Sequence, residues 1–374
     1  MPVDWKRVRS EFPVLADWTF LNSATIGQMP RRAVETIARH FQHRDALACT
    51  DLFDWFDEAD QVRSKLARLI HCEASDIAFI PNACTALSLF CGGIDWRPGD
   101  RVVTLEHEFP NHFYYAAQLQ SRGVEFVETP WERFYESVSP RTRLVTISEV
   151  NYSTGFHAPV NEIGHWLRER GVLFYLDGTQ SLGALPFDVS AVQPDVYVAD
   201  GYKWMLAPNG IGFAYVRPEV REWLQPAVIG WRSHTTWREP ANLHHGVPQF
   251  RTEAERYEGG MLNFAGILAL GASADLFLEI GPEAIGRRVM DLAARAREAM
   301  ARAGGVRPPD VPAGFESPIV TARFEGRDAS ALAGELQKHR ILVAARQGNL
   351  RVSPHLYNNE DDVARLEEAL RARL

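Results

Sequence analysis

Cysteine is scarce in this chain of 374 residues and unevenly placed: Cys49, Cys72, Cys84 and Cys91 all fall in the first quarter and none follows. No pair has C-x-x-C spacing, which argues against both a disulfide framework and a zinc site and leaves the thiols reduced. Apolar runs of membrane-spanning length are missing as well. The opening stretch MPVDWKRVRSEFPVLADW mixes charges of both signs with proline and aromatic residues, so it lacks the unbroken apolar core of a signal peptide, and a cytoplasmic location is expected. Basic excess is absent: a net charge of −8 and a pI near 5.9 leave no electrostatic footprint for nucleic acid, and no basic amphipathic stretch points to a membrane surface. His244 and His245 are adjacent but lack further ligands at suitable spacing, so they read as exposed loop residues and no metal is expected.

What is present is ordinary globular composition, with 46% hydrophobic and 24% charged residues, enough for one large domain and a smaller one without covalent staples. Helical and strand-like patterns alternate, the signal of βαβ units around a mainly parallel sheet, so the class is α/β. Periodicity predicts helices over 31–48, 54–71, 82–92, 111–122 and 160–170, and strands over 77–80, 101–105, 124–127, 143–148 and 172–176. The segment DVYVADGYKWMLAPNGIGFAYV (195–216) holds two apolar runs joined by a polar hairpin-like stretch centred on Lys203. The following stretch HTTWREPANLHHGVPQFRTEAERYEGG, rich in His, Pro and Gly, reads as irregular structure at the edge of the large domain. Helices are predicted over 262–280 and 282–303. A last αβ alternation then has strands over 319–324, 341–344 and 350–352, with helices over 329–339 and 360–373. The expected division is a large domain over 18–260, a small C-terminal α/β domain over 261–374, and an N-terminal segment over 1–17.

In an open α/β sheet ligands sit at the carboxyl ends of the strands, so polar residues placed just after apolar runs are the candidates. Lys203 lies between Tyr202 and Trp204; a lysine held among aromatic rings loses hydration and becomes a nucleophilic amine, although a lone loop lysine is ordinarily just solvated. VLFYLDGTQSLG ends a buried-type strand in Asp177, with Gln180 three residues on; an aspartate there often does no more than cap the next turn. An aldehyde cofactor that withdraws electrons through a pyridinium ring needs a lysine for the Schiff base and a carboxylate at the ring nitrogen, and Lys203 with Asp177 supplies that pair. In FIPNACTALSLF, Asn82 caps a helix whose first turn, Ala83, Cys84 and Thr85, offers free amides and a hydroxyl to an anion, where a plain capped helix is the bland alternative. LEHEFPNHFYY places Phe109 where it can stack on a flat ring, with His107 and His112 read as ordinary histidines. EVNYSTGFHAP offers the Asn151 amide to a phenolate oxygen.

These residues resemble a known family. DGTQSLGALPFDV together with ADGYKWMLAPNGIGFAYV looks like the aspartate and lysine signatures of class V aminotransferase-like enzymes, fold-type I pyridoxal 5′-phosphate proteins that include cysteine desulfurases, kynureninases and isopenicillin N epimerase-like members. The likeness runs from FLNSATIGQMP to LRVSPHLYNNEDDVARL. It implies a PLP-dependent enzyme acting on an amino acid or amine, with transamination as the first expectation and kynureninase-like lysis, C–S lysis or epimerisation as alternatives; a catalytically silent scaffold is disfavoured by the intact signature. By motif, Lys203 would carry the Schiff base and act as general base. Asp177 would partner the pyridine nitrogen, and Gln180 and Asn151 the ring hydroxyl oxygen. Phe109 would stack on the ring, Ala83, Cys84 and Thr85 would hold the phosphate together with Tyr202, and Asp200 would also belong to the cofactor site. Arg351 would grip the substrate carboxylate with its planar fork, with Asn22 on the substrate side. The resemblance also implies a homodimer. Three departures stand out. The loop carrying ARQGN has no cysteine where desulfurases need one, Phe109 replaces a ring-stacking histidine, and Met261 replaces a threonine that reaches the neighbouring subunit's phosphate.

Overall fold

The computed structural model describes residues 3–239, 241, 247–309 and 311–372; the His244–His245 pair lies outside them. Seven strands form the central sheet in the spatial order Ile77–Ile80, Gly212–Val216, Val196–Asp200, Leu173–Asp177, Thr142–Ser148, Arg101–Leu105 and Glu125–Thr129. Every pairing is parallel except the two made by Gly212–Val216. The strands Leu173–Asp177, Val196–Asp200 and Gly212–Val216 are buried almost throughout, as continuous apolar runs require when helices cover both faces. Helices and strands fall within a few residues of the predicted ranges, and Ile77–Ile80 and Arg101–Leu105 match them end to end.

The C-terminal part carries a three-stranded antiparallel sheet ordered Ala344–Arg346, Asn349–Val352 and Val320–Ala322, with the helices Pro282–Arg302, Ala329–Lys338 and Glu360–Arg371 beside it. Chain segments distant in sequence tie the two sheets together. The short strand Thr19–Phe20 pairs in parallel with Ile341–Leu342, and Asn22 bridges to Ser353. The apolar helix Phe264–Ile280 packs on Arg31–Leu47 and Leu52–Ile70, where Gly271 lets the side chain of Val62 approach closely.

Near its end the irregular segment turns inward: Ala254–Tyr257 are buried, and the Glu258 side chain is enclosed. The Glu258 carboxylate accepts from Arg63 at 2.7 Å, from Arg232 at 2.6 Å and from the Phe79 amide at 2.7 Å. Two arginines from distant segments neutralise the glutamate and hold it inside.

Candidate active site

Lys203 sits in the turn joining the antiparallel pair Val196–Asp200 and Gly212–Val216. It is 7% exposed, and its ammonium has no hydrogen-bond partner among the described residues. Instead Nζ stands 5.4 Å from the ring centre of Phe109 and 5.5 Å from that of Tyr202. Burial pulls its pKa down to about 8 against the opposing pull of Asp177 and Asp200, with Arg351 and Arg346 lowering it further. Three contacts fix the turn. The Trp204 indole donates to Gln180 Oε1 at 2.9 Å, His355 Nε2 donates to the Trp204 carbonyl at 2.9 Å, and the Gly27 amide donates to the Tyr202 carbonyl at 2.8 Å. Gly27 is required there because a Cβ would lie 1.9 Å from the Lys203 carbonyl oxygen.

Asp177 is the last residue of its strand rather than the first after it, and it faces the same cavity as Lys203. That cavity, of about 200 Å³, is also lined by Asn82, Ala83, Cys84, Phe109, Tyr152, Gln180, Asp200 and Tyr202. The Thr179 amide donates to Asp177 Oδ1 at 2.8 Å, and His112 Nε2 lies 3.9 Å from Oδ2. His112 itself is buried, with Nδ1 held at 2.6 Å from Thr146 Oγ1. It is a site residue that sequence reasoning set aside; its signal was its position three residues after Phe109, in the first turn of a helix that follows a strand. A wider cleft of about 600 Å³, lined in part by His71, Glu149 and His157, contains no lysine or arginine and offers no amine to such chemistry.

At the helix start, Asn82 Oδ1 accepts from the Thr85 amide at 2.9 Å and Asp200 Oδ1 accepts from the Ala83 amide at 2.7 Å. Of those first three amides, only that of Cys84 is left without a protein partner. Asp200 has its pKa raised to about 7, by burial first and by the charge of Asp177 second, while Lys203 and the Ala83 amide oppose the rise. Tyr202 is pushed up to about 12 by burial and by the two aspartates.

The other predicted residues are placed as follows. Gln180 lines the cavity, with its Oε1 engaged by Trp204 and one Nε2 hydrogen donated to the Ala24 carbonyl at 3.0 Å, which leaves one N–H. The structure does not bring Asn151 to the cavity: its Nδ2 donates to the His107 carbonyl and its Oδ1 organises the turn at Ser153 and Thr154, while the next residue, Tyr152, faces inward. Thr85 points its hydroxyl at Asn82. Arg351, 1% exposed, donates from Nη2 to Thr25 Oγ1 at 2.6 Å and from Nη1 to the carbonyl of cavity-lining Tyr152. Asn22 stands behind Thr25, accepting from its hydroxyl at 2.8 Å.

A buried hairpin lysine and a strand-end aspartate facing one cavity, at the carboxyl ends of a mainly parallel sheet, define the fold-type I pyridoxal-phosphate class. The chain matches the aminotransferase class-V family over residues 19–366 and belongs to it. It is similar to a probable cysteine desulfurase of Methanothermobacter thermautotrophicus, 26% identical over 97% of this chain and 96% of that one. It is also similar to isopenicillin N epimerase of Streptomyces clavuligerus, 28% identical over 99% of this chain and 98% of that one. Among solved structures, a C-DES mutant with glycine covalently linked to its PLP cofactor superposes with a TM-score of 0.89 at 22% identity, covering 99% of each chain.

Proposed function

We propose that this protein is a PLP-dependent aminotransferase that takes the α-proton of an amino acid on Lys203. The observation carrying this reading is the buried, unpartnered ammonium of Lys203 in one cavity with the Asp177 carboxylate. The residues fit the cofactor: an amine for its aldehyde, a carboxylate for its ring nitrogen, the flat face of Phe109 for its ring, and a free helix-start amide at Cys84 for its phosphate. When bound, pyridoxal phosphate supplies a carbonyl that captures amines and a ring that accepts an electron pair from the substrate's α-carbon.

Lys203 supplies proton transfer. With a pKa near 8 a useful fraction of the amine is free near neutrality, and the protonated form returns the proton at the same Nζ. Asp177, anchored by the Thr179 amide and backed by His112, would hold a proton at the ring nitrogen of the cofactor. Arg351 has its Nε buried without a partner, an unfilled donor suited to a carboxylate. Phe109 would cover the cofactor ring and has no proton to move, which favours single-base transamination over two-base epimerisation. Persulfide formation on a small-domain loop has no nucleophile, since no cysteine follows Cys91 and the turn at Gln347–Gly348 is preceded by Arg346.

The test is a panel of amino donors with keto-acid acceptors, scored for new amino acid against released pyruvate, sulfide or alanine. New amino acid supports transamination, and exclusive release of fragments transfers the assignment to a lyase. Lys203→Ala should lose both the lysine-linked visible chromophore and turnover; full turnover by that variant overturns the reading.

A homodimer goes with this reading, supported by exposed apolar residues on the large-domain surface, among them Val34, Phe41 and Ile229. A cytoplasmic setting is in keeping with four free thiols.

A further inference from the structure

Two arginines project from one face of the small-domain hairpin. Ala344 pairs with Arg351 and Arg346 with Asn349, so the side chains of 344, 346, 349 and 351 share a side. Both guanidiniums converge on a single hydroxyl: Arg351 Nη2 reaches Thr25 Oγ1 at 2.6 Å and Arg346 Nη2 reaches it at 3.4 Å. The Thr25 proton goes to Asn22 Oδ1, which leaves the oxygen lone pairs to accept from both. Their remaining protein partners are backbone carbonyls, Ala345 for Arg346 and Tyr152 for Arg351, and no carboxylate pairs with either among the described residues. The two cations therefore repel each other. After burial, Arg346 is the next cause that lowers Arg351, whose pKa falls to about 9. The pair adjoins the cavity through Arg351, which donates to the carbonyl of cavity-lining Tyr152, and both charges also lower Lys203.

An ordinary amino acid brings one carboxylate and neutralises one of these cations. The second, half-buried and without a counter-ion, remains unmatched. Resting on the reading above, we infer that the substrate is an α-amino acid, or its keto acid, with a second anionic group on its side chain, and that Arg346 is the residue that selects it. Arg351 takes the α-carboxylate and Arg346 the side-chain carboxylate, sulfinate or similar oxyanion, so the pair closes electrically only around a dianion.

The test uses holoenzyme and unreactive acids, with binding read by calorimetry: succinate and glutarate against propionate and butyrate. Wild type should bind the dianions at least about tenfold more tightly, the lower end of a charge-assisted pair. Arg346→Gln should abolish that preference, reducing the dianion-to-monoanion affinity ratio to about one, and Arg346→Lys should restore part of it. In turnover, Arg346→Gln should raise KM for aspartate or glutamate far more than for alanine, so that the ratio between them collapses. Absence of the preference in wild type, or its survival in Arg346→Gln, overturns the assignment of Arg346 alone. Arg351→Gln should weaken monoanions and dianions together. If monoanion affinity survives that change, the carboxylate site of the proposed function is wrong and this inference falls with it.

Discussion

Asp200 puts a carboxylate against the helix start where an anionic phosphate is expected, and replacing it by asparagine tests what holds it there. Asparagine keeps an oxygen for the Ala83 amide but has no proton to exchange. In the folded chain, burial and the neighbouring Asp177 raise the Asp200 pKa from 3.8 to about 7. The protonated form is thus favoured in the fold, and the unfolded chain releases its proton first. Stability from this group is fully present below pH 3.8 and declines as pH rises, until the folded pKa near 7 is passed. At 1.36 kcal/mol per pH unit the whole span amounts to about 4 kcal/mol, of which roughly 3 kcal/mol falls between pH 5 and 8. Asp200→Asn removes that slope. Urea unfolding of cofactor-stripped protein at pH 5, 6, 7 and 8 should show the variant gaining on wild type by about that amount as pH rises. The variant also removes a charge that supports the Lys203 ammonium, so the Lys203 pKa should fall further. A stability difference that stays constant from pH 5 to 8 would refute the reasoning, because a purely steric or hydrogen-bonding effect has no reason to follow a titration.

Other outcomes follow from the same geometry. Glu258→Ala should destabilise the protein by about 3–5 kcal/mol in urea unfolding, because Arg63 and Arg232 are then left buried and unmatched; a loss under 1 kcal/mol would show that water replaces the carboxylate. Gly27→Ala should lower cofactor affinity as well as melting temperature, since the new methyl collides with the Lys203 carbonyl; retained spectral titration of PLP would show that the turn relocates freely. His112→Leu should weaken cofactor binding and shift the pH profile of the chromophore, with folding retained by circular dichroism, if the imidazole positions Asp177.

The α/β alternation and the mainly parallel character of the sheet were legible because short apolar strands alternate with helical patterns between polar turns. The lysine and the aspartate stood out because each closes or follows such a strand. Asn151 sits in a turn, where an asparagine is equally suited to organising its own backbone, and its carboxamide oxygen is engaged there. The enclosure of the Glu258 side chain has no local signature because a charged residue enters the interior only when its partners arrive from elsewhere, here Arg63 and Arg232. Thr25 and Arg346 were missed for a similar reason: 321 residues separate them, and neither belongs to a local motif.

The amino-acid order by itself determined the α/β class, the succession of helices and strands, the lysine–aspartate pair and the family to which the pair belongs, since hydrophobic periodicity and strand-end chemistry act over a few residues. Only the tertiary structure decided which polar groups share a cavity and how they titrate. The lowered Lys203, the raised Asp200 and the paired arginines on Thr25 arise from burial and from charges brought close by the folding of remote segments, and short-range sequence carries no record of those distances.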